Sequence, residues 1–421
     1  MKTKNFYLIT AIIGVLSSIL SSCNDKKITE NISANADSVK MITVEAESFY
    51  NSSSAFQKVE GLVAVDQDGW MAYEVQFPAA GRYRVEVVAS AKDTSIIWLE
   101  DYIDNPDQRT YNVTGNLQFN PNTTVQTLGV DGSPFNKGLH RMKLHSKANT
   151  KIDKFVFTLL VEHQQTPHYL TQSMQGKEWS LVWSDEFDGK EIDQSKWTYD
   201  IGNWGWGNNE LQYYTKNRQE NARIENGMLL IEARKDDMGQ KWTSARLTTR
   251  GKVSFLYGKI EFRARVPKER GNWAAAWTLG DDYIDEKSWP YCGEIDILES
   301  VGYEIDSNNG NGIAHATVHT PAYYFKINNQ ISSTKEVKAI SEEFHTYSIE
   351  WTPTEIKAYV DNVQYYLYDK NANEKEWPFA KPQNIILNLA MGGGWGGLKG
   401  IDPNITSQKF YIDYVRVFEK K

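Results

Sequence analysis

The chain has 421 residues, with 54 acidic against 46 basic side chains and a formal net charge of −8. The length sets an expectation of two or three domains, and the negative balance argues against nucleic acid or anionic lipid surfaces as partners. Two cysteines, Cys23 and Cys292, supply no disulfide framework. Aromatic residues reach 13%, with 14 Trp and 23 Tyr. That exceeds what a core requires and suits stacking on the C–H faces of pyranose rings.

In chain order, Lys2 and Lys4 precede an apolar run over 6–20, too short to span a bilayer comfortably, so 1–22 reads as a signal peptide. Leu20-Ser21-Ser22-Cys23 resembles a bacterial lipobox. It implies a lipid on Cys23 and anchoring at the cell envelope, outer membrane or cell surface; an ordinary signal peptide with an incidental cysteine is the alternative. Residues 23–40 are polar and aperiodic, a flexible tether. Residues 41–162 carry short alternating segments. Those at 70–77 and 83–87, split by Pro78-Ala79-Ala80-Gly81, read as a hairpin, and 138–144 and 152–157 as two further strands. The pattern predicts a β-sandwich. Residues 163–177 are polar, contain Pro167, and read as a linker. Strand patterns dominate 178–421, at 228–233, 259–266, 347–351, 355–360 and 384–390, with a tight turn at Asp361-Asn362. No helix with caps and period is visible. The fold class is all-β, a large sandwich after a smaller N-terminal one.

The densest chemistry lies in Gly293-Glu294-Ile295-Asp296-Ile297-Leu298-Glu299-Ser300. Strand alternation puts Glu294 and Asp296 on one face and Ile295 and Ile297 on the other. Glu299 has the wrong parity, which one bulge near Ile297–Leu298 corrects. The glutamates then stand ~13 Å apart at Cα, four strand steps. Leaning side chains close that to roughly 5 Å between carboxyls, as a retaining glycosidase needs. Three acids on one face repel each other and raise pKa values, a cost that calls for a functional reason. Further candidates are His319, which shares a face with Thr317 and His315; Trp289, just before the acidic strand; Arg246; and Trp395, inside Gly392-Gly393-Gly394-Trp395-Gly396-Gly397. Cys292, among acids, reads as a buried inert thiol. There is no phosphate loop and no Cys-x-x-Cys or His-Glu-x-x-His cluster.

Glu-Ile-Asp-Ile-Leu-Glu resembles the signature of glycoside hydrolase family 16, in the form with one extra residue before the second glutamate. Trp183-Ser184-Asp185-Glu186-Phe187-Asp188-Gly189 is similar to the family's opening strand, and Ile412-Asp413-Tyr414-Val415-Arg416-Val417 to its closing one. Gly258-Lys259-Ile260-Glu261, Trp273 and Trp277 match the stretch before the acidic strand. Gly205-Trp206-Gly207-Asn208-Asn209-Glu210-Leu211-Gln212-Tyr213-Tyr214-Thr215 resembles the laminarinase branch. The resemblance implies a concanavalin-like β-jelly roll over 178–421. It implies cofactor-free endo-hydrolysis, with retention, of β-1,3-glucosidic linkages in laminarin-like or mixed-linkage β-glucans. Glu294 is then the nucleophile, Glu299 the acid/base and Asp296 the group between them. Trp273, Trp277, Asn208 and Glu210 would bind glucose, with His319 near the acid/base. A structural calcium is implied at the main-chain oxygens of Glu186 and Gly227 and the Asp413 carboxylate. A β-galactan hydrolase of the agarase or porphyranase type, and a non-catalytic lectin-like binder, are the alternatives. The segment 44–49 and Ile152-Asp153 resemble the ends of a family 6-type carbohydrate-binding module. Thr150-Lys151 stands where such modules carry a sugar-binding Asn, so a binding module and a bare spacer both stay open. Every carboxylate given a catalytic role follows residue 290, so 41–162 is expected to take no part in the chemistry of what reads as a monomer.

Overall fold

The computed structural model describes residues 40–103 and 109–421. The signal peptide, the lipidated Cys23 and nearly all of the tether lie outside the described residues. Among the described residues the only helical pieces are three short 3-10 turns, Ala46–Ser48, Gly302–Glu304 and Phe325–Ile327.

Two six-stranded sheets form the N-terminal sandwich. Their inward residues, among them Tyr73, Val75, Phe77, Tyr83, Val85, Phe135, Phe155 and Phe157, build one buried core. The expected hairpin is absent. Gly69–Phe77 pairs with Gly138–Ser146 in one sheet, whereas Gly81–Ala91 pairs with Thr150–Glu162 in the other. Residues 78–80 cross from sheet to sheet, and Phe77 meets Tyr83 edge to face across the core at 5.2 Å. Alternation reports one buried face, and two strands facing each other satisfy it as well as two strands side by side.

The second sandwich packs a nine-stranded sheet on a ten-stranded one. Gln383–Met391, Asn272–Gly280, Glu294–Val301 and Gly312–His319 are neighbours in the former. Ser407–Lys420, Gly258–Arg265 and His345–Trp351 are neighbours in the latter. Ala276, Ile295, Ile297, Leu298, Val318 and Leu387 face Ile260, Phe262, Ile349, Trp351, Ile412 and Val417 in one continuous core. The nine-stranded sheet is thereby fixed from within, and its outward side chains are free to serve a site. Asp361 and Asn362, at φ 49 and 63, make the two-residue turn between Ile356–Val360 and Val363–Tyr368. The segment read as a linker carries strand Tyr169–Thr171, parallel to Ser254–Leu256. Its polar composition concealed main-chain pairing, which needs no apolar side chain.

Candidate active site

A cavity of about 470 Å³ opens on the outward face of the nine-stranded sheet. Strand Glu294–Val301 crosses its floor between Asn272–Gly280 and Gly312–His319. Ala276 pairs with Leu298 and Trp277 with Asp296, so Ile297 is the bulged residue. Ile297 and Leu298 both enter the core, and Glu294, Asp296 and Glu299 all line the cavity.

Each glutamate receives an indole. Trp289 Nε1 donates to Glu294 Oε2 at 2.9 Å, and Trp273 Nε1 to Glu299 Oε1 at 3.1 Å. Burial first raises the Glu294 pKa; the Glu286 charge adds to this, while the Trp289 bond, Arg246 and Lys326 oppose it. Burial is also the largest cause for Glu299, followed by the Glu294 charge, with the Trp273 bond opposing. Charge repulsion is therefore secondary to desolvation here. Asp296 is pushed well above the usual carboxylate range by burial and by both glutamates.

His319 sits opposite Glu294 in the register, and His315 opposite Glu299. This corrects the expectation that His319 neighbours the acid/base. The bulge shifts pairing beyond Asp296, which moves every partner along. His319 Nε2 lies 3.7 Å from Glu294 Oε1 and 3.4 Å from Asp296 Oδ2. Burial lowers the His319 pKa to about 3, so the ring is neutral. His315 Nε2 bonds Glu304 Oε2 at 2.6 Å and packs on Trp395 at 4.9 Å.

Asn208, Glu210, Arg246, Trp273, Trp277, Trp289, His319 and Trp395 all line this one cavity. Glu210 accepts from Gln212 at 2.7 Å and Asn208 at 3.3 Å, and burial pushes it up to about 7. Arg246 donates to Asp200 at 3.0 Å and stacks between Trp206 and Trp277 at 4.9 and 4.8 Å. Trp277 donates to Asn388 at 2.7 Å. Tyr283, Glu286, Phe325, Lys326 and Asn388 also line the cavity and escaped the sequence reading. Asn388 sits in a strand buried at all nine positions, so no alternation marks it. Lys326 sits on a short turn with no motif. Cys292 is buried and its thiol pushed well up, chiefly by desolvation.

The implied calcium residues lie far along the fold, on the ten-stranded sheet. Trp179–Asp185 pairs with Ser407–Lys420 up to Val415, and Met228–Asp237 pairs with it from Ile412. Asp413 is skipped in the register with Gly258–Arg265, so it bulges where the two neighbours' ends meet. Glu186 and Gly227 immediately flank those ends. An all-oxygen set of two carbonyls and a carboxylate suits calcium. The Asp413 carboxylate accepts from Arg263 at 2.7 Å, and the Glu186 side chain is held by Arg416 at 3.0 and 2.7 Å.

The two sandwiches meet beside the cavity. Trp204 and Trp206, both lining the cavity, belong with Tyr214 to the buried core of the N-terminal sandwich. Tyr102, from the N-terminal sandwich, bonds Asp285 in the loop before the acidic strand. The sequence showed no sign of this, because the aromatic residues that join the two cores look like any others.

A family model described as Glycosyl hydrolases family 16 matches residues 209–416. A β-glucanase of Rhodothermus marinus is 47% identical over 249 residues, which cover 57% of this chain and 85% of that protein. Among solved structures, the laminarinase from Rhodothermus marinus superposes with a TM-score of 0.54 at 46% identity, over 57% of this chain and 98% of that one. A variant of SCLam, a non-specific endo-β-1,3(4)-glucanase presenting 1,3-β-D-cellobiosyl-glucose at its active site, gives 0.54 at 39% identity, over 59% and 98%.

Proposed function

The chain belongs to glycoside hydrolase family 16, and from that premise we propose that it cleaves β-1,3-glucosidic linkages within laminarin-like or mixed-linkage β-glucans, with retention. The bulged acidic strand carries this reading: two glutamates, Glu299 buried and Glu294 half-buried, share one cavity, each bonded by its own tryptophan. Glu294 attacks the anomeric carbon while Glu299 protonates the departing oxygen. Burial and both neighbouring glutamates raise the Asp296 pKa well above the usual carboxylate range, which favours placing the charge on Glu294. The Trp289 N–H bond favours that charge. Once Glu294 is esterified its charge vanishes, the Glu299 pKa falls, and Glu299 takes a proton from the incoming water. No cofactor enters these steps. Trp273, Trp277 and Trp395 offer ring faces to glucose, and Asn208 and Glu210 offer polar groups to hydroxyls.

Beyond the cavity, the lipobox-like segment supports tethering to the cell envelope through lipid on Cys23. Glu186, Gly227 and Asp413 support a calcium that pins strand ends and supplies no chemistry. Whether the N-terminal sandwich also binds glycan turns on the replaced Asn; its place against the cavity favours a structural role. The test is product analysis on laminarin, mixed-linkage glucan and agarose side by side. Release from the two glucans is expected; release from agarose alone overturns the substrate class.

A further inference from the structure

We infer that the N-terminal sandwich supports one wall of the catalytic site from behind: through Tyr102, Arg109, Tyr111 and Asn136 it fixes the loop carrying Trp289 and so holds its indole on Glu294. The inference rests on the reading of Glu294 as nucleophile.

Residues 281–293 join Asn272–Gly280 to the acidic strand. A connection of this length wanders unless something fastens it. The sandwich fastens it at two places. The Tyr102 hydroxyl bonds the Asp285 carboxylate, which also accepts from the Asn136 main-chain N–H at 3.1 Å. The Tyr111 hydroxyl and Arg109 Nη1 both donate to the Trp289 carbonyl at 3.3 Å. Ring contacts reinforce these bonds. Arg109 lies 4.9 Å from the Tyr291 ring, Lys287 lies 5.5 Å from Tyr102, and Arg82 lies 5.5 Å from Tyr283. Lys326 caps the junction, 4.8 Å from the Tyr111 ring and 5.3 Å from Trp289. Behind the opposite wall, Asp131 and Asn203 exchange bonds at 2.9 and 3.0 Å, which clamps the turn bearing Trp204 and Trp206.

Among the described residues of 41–162, no side chain lines the cavity. Tyr102, Arg109 and Tyr111 therefore act as positioning residues, through Asp285 and Trp289. The match to the family model begins after the sandwich, at residue 209.

The test uses the full chain and Tyr111→Phe, which removes the hydroxyl and keeps the ring beneath Lys326, with Tyr102→Phe as the second variant. Glu294 faces Arg246, Lys326, Glu286, Asp296, His319 and Glu299; neither variant removes any of these groups, and Tyr111→Phe keeps the ring that Lys326 lies against. A loosened Trp289 bond disfavours the charged nucleophile, so the acidic limb of kcat/KM should move to higher pH. In both variants kcat is expected to fall several-fold at unchanged KM and nearly unchanged Tm. Trp289→Phe should shift the limb the same way, and adding Tyr111→Phe to it should shift it no further. Unchanged kcat and limb in both tyrosine variants overturns the inference, as does a full additional shift in the double variant. Azide rescue of Glu294→Gly judges the nucleophile separately. Its failure alongside a shifted limb would remove the role of Glu294 and leave the wall.

Discussion

At the scale of single residues, the two glutamates differ in what each needs to do, and their surroundings differ accordingly. Both have pKa values raised by burial, yet Glu294 also faces Arg246 and Lys326, whereas Glu299 faces the Glu294 charge. Catalysis with Glu294 ionised and Glu299 protonated gives a bell-shaped pH profile, both limbs above the ordinary carboxylate range. Glu294→Gln and Glu299→Gln are each expected to cut kcat by about 10³-fold or more. Azide should then separate the roles. It should yield a glycosyl azide of inverted configuration from Glu294→Gly, and one of retained configuration from Glu299→Ala with an activated leaving group. Exchanged products reverse the assignment. The same burial has a stability consequence. A carboxyl whose folded pKa is raised binds its proton more tightly folded than unfolded, so stability falls as pH rises from the unfolded value through the folded one. Glu299→Gln removes that loss. Thermal melts should show the variant gaining about 1–3 kcal/mol over the parent at alkaline pH, and little below the unfolded value.

At the scale of elements, the bulge at Ile297 decides the site. It turns Glu299 onto the cavity face and at the same time buries two consecutive aliphatic side chains. Deleting Ile297 removes the unpaired residue, so the acids keep both their parity and their separation of four strand steps, ~13 Å, while the strand loses its bulge and the core loses a side chain. A fall in Tm with kcat kept to within about tenfold is expected; a loss of a hundredfold or more would show that the bulge itself, beyond parity and spacing, sets the geometry of the acids. This bulge was legible because parity alone demanded it. Which histidine faces which acid was not, since that depends on how far the bulge slides the neighbouring strand. The apparent hairpin in the N-terminal sandwich failed for a related reason: alternation fixes a strand's buried face and leaves its partner open.

At the scale of the whole molecule, the strands and the acids were readable from local pattern, but the joining of two sandwiches was not. It rests on main chains in contact. A Cβ on Gly132 would stand 2.1 Å from the Ile201 carbonyl oxygen, and one on Gly202 would stand 2.0 Å from that of Asp131. Both glycines have positive φ, +89° and +125°, so a side chain adds strain to the clash. Gly132→Ala should cost about 2–4 kcal/mol and pry the sandwiches apart, seen as a lower Tm with reduced kcat. An unchanged melt would mean that the junction yields. Chelation tests the far end of the jelly roll. Removing calcium should lower Tm by a few degrees without changing kcat at temperatures well below the transition, because the proposed site lies away from the cavity.

Cys292 turns this architecture into a clock. Its thiol is 1% exposed and held protonated by burial, next to the glycine that opens the acidic strand. A disulfide reagent can reach it only while the connection before that strand is momentarily undone. In a Cys23→Ser background, the labelling rate under native conditions therefore counts those openings, and Tyr111→Phe should make it tick faster.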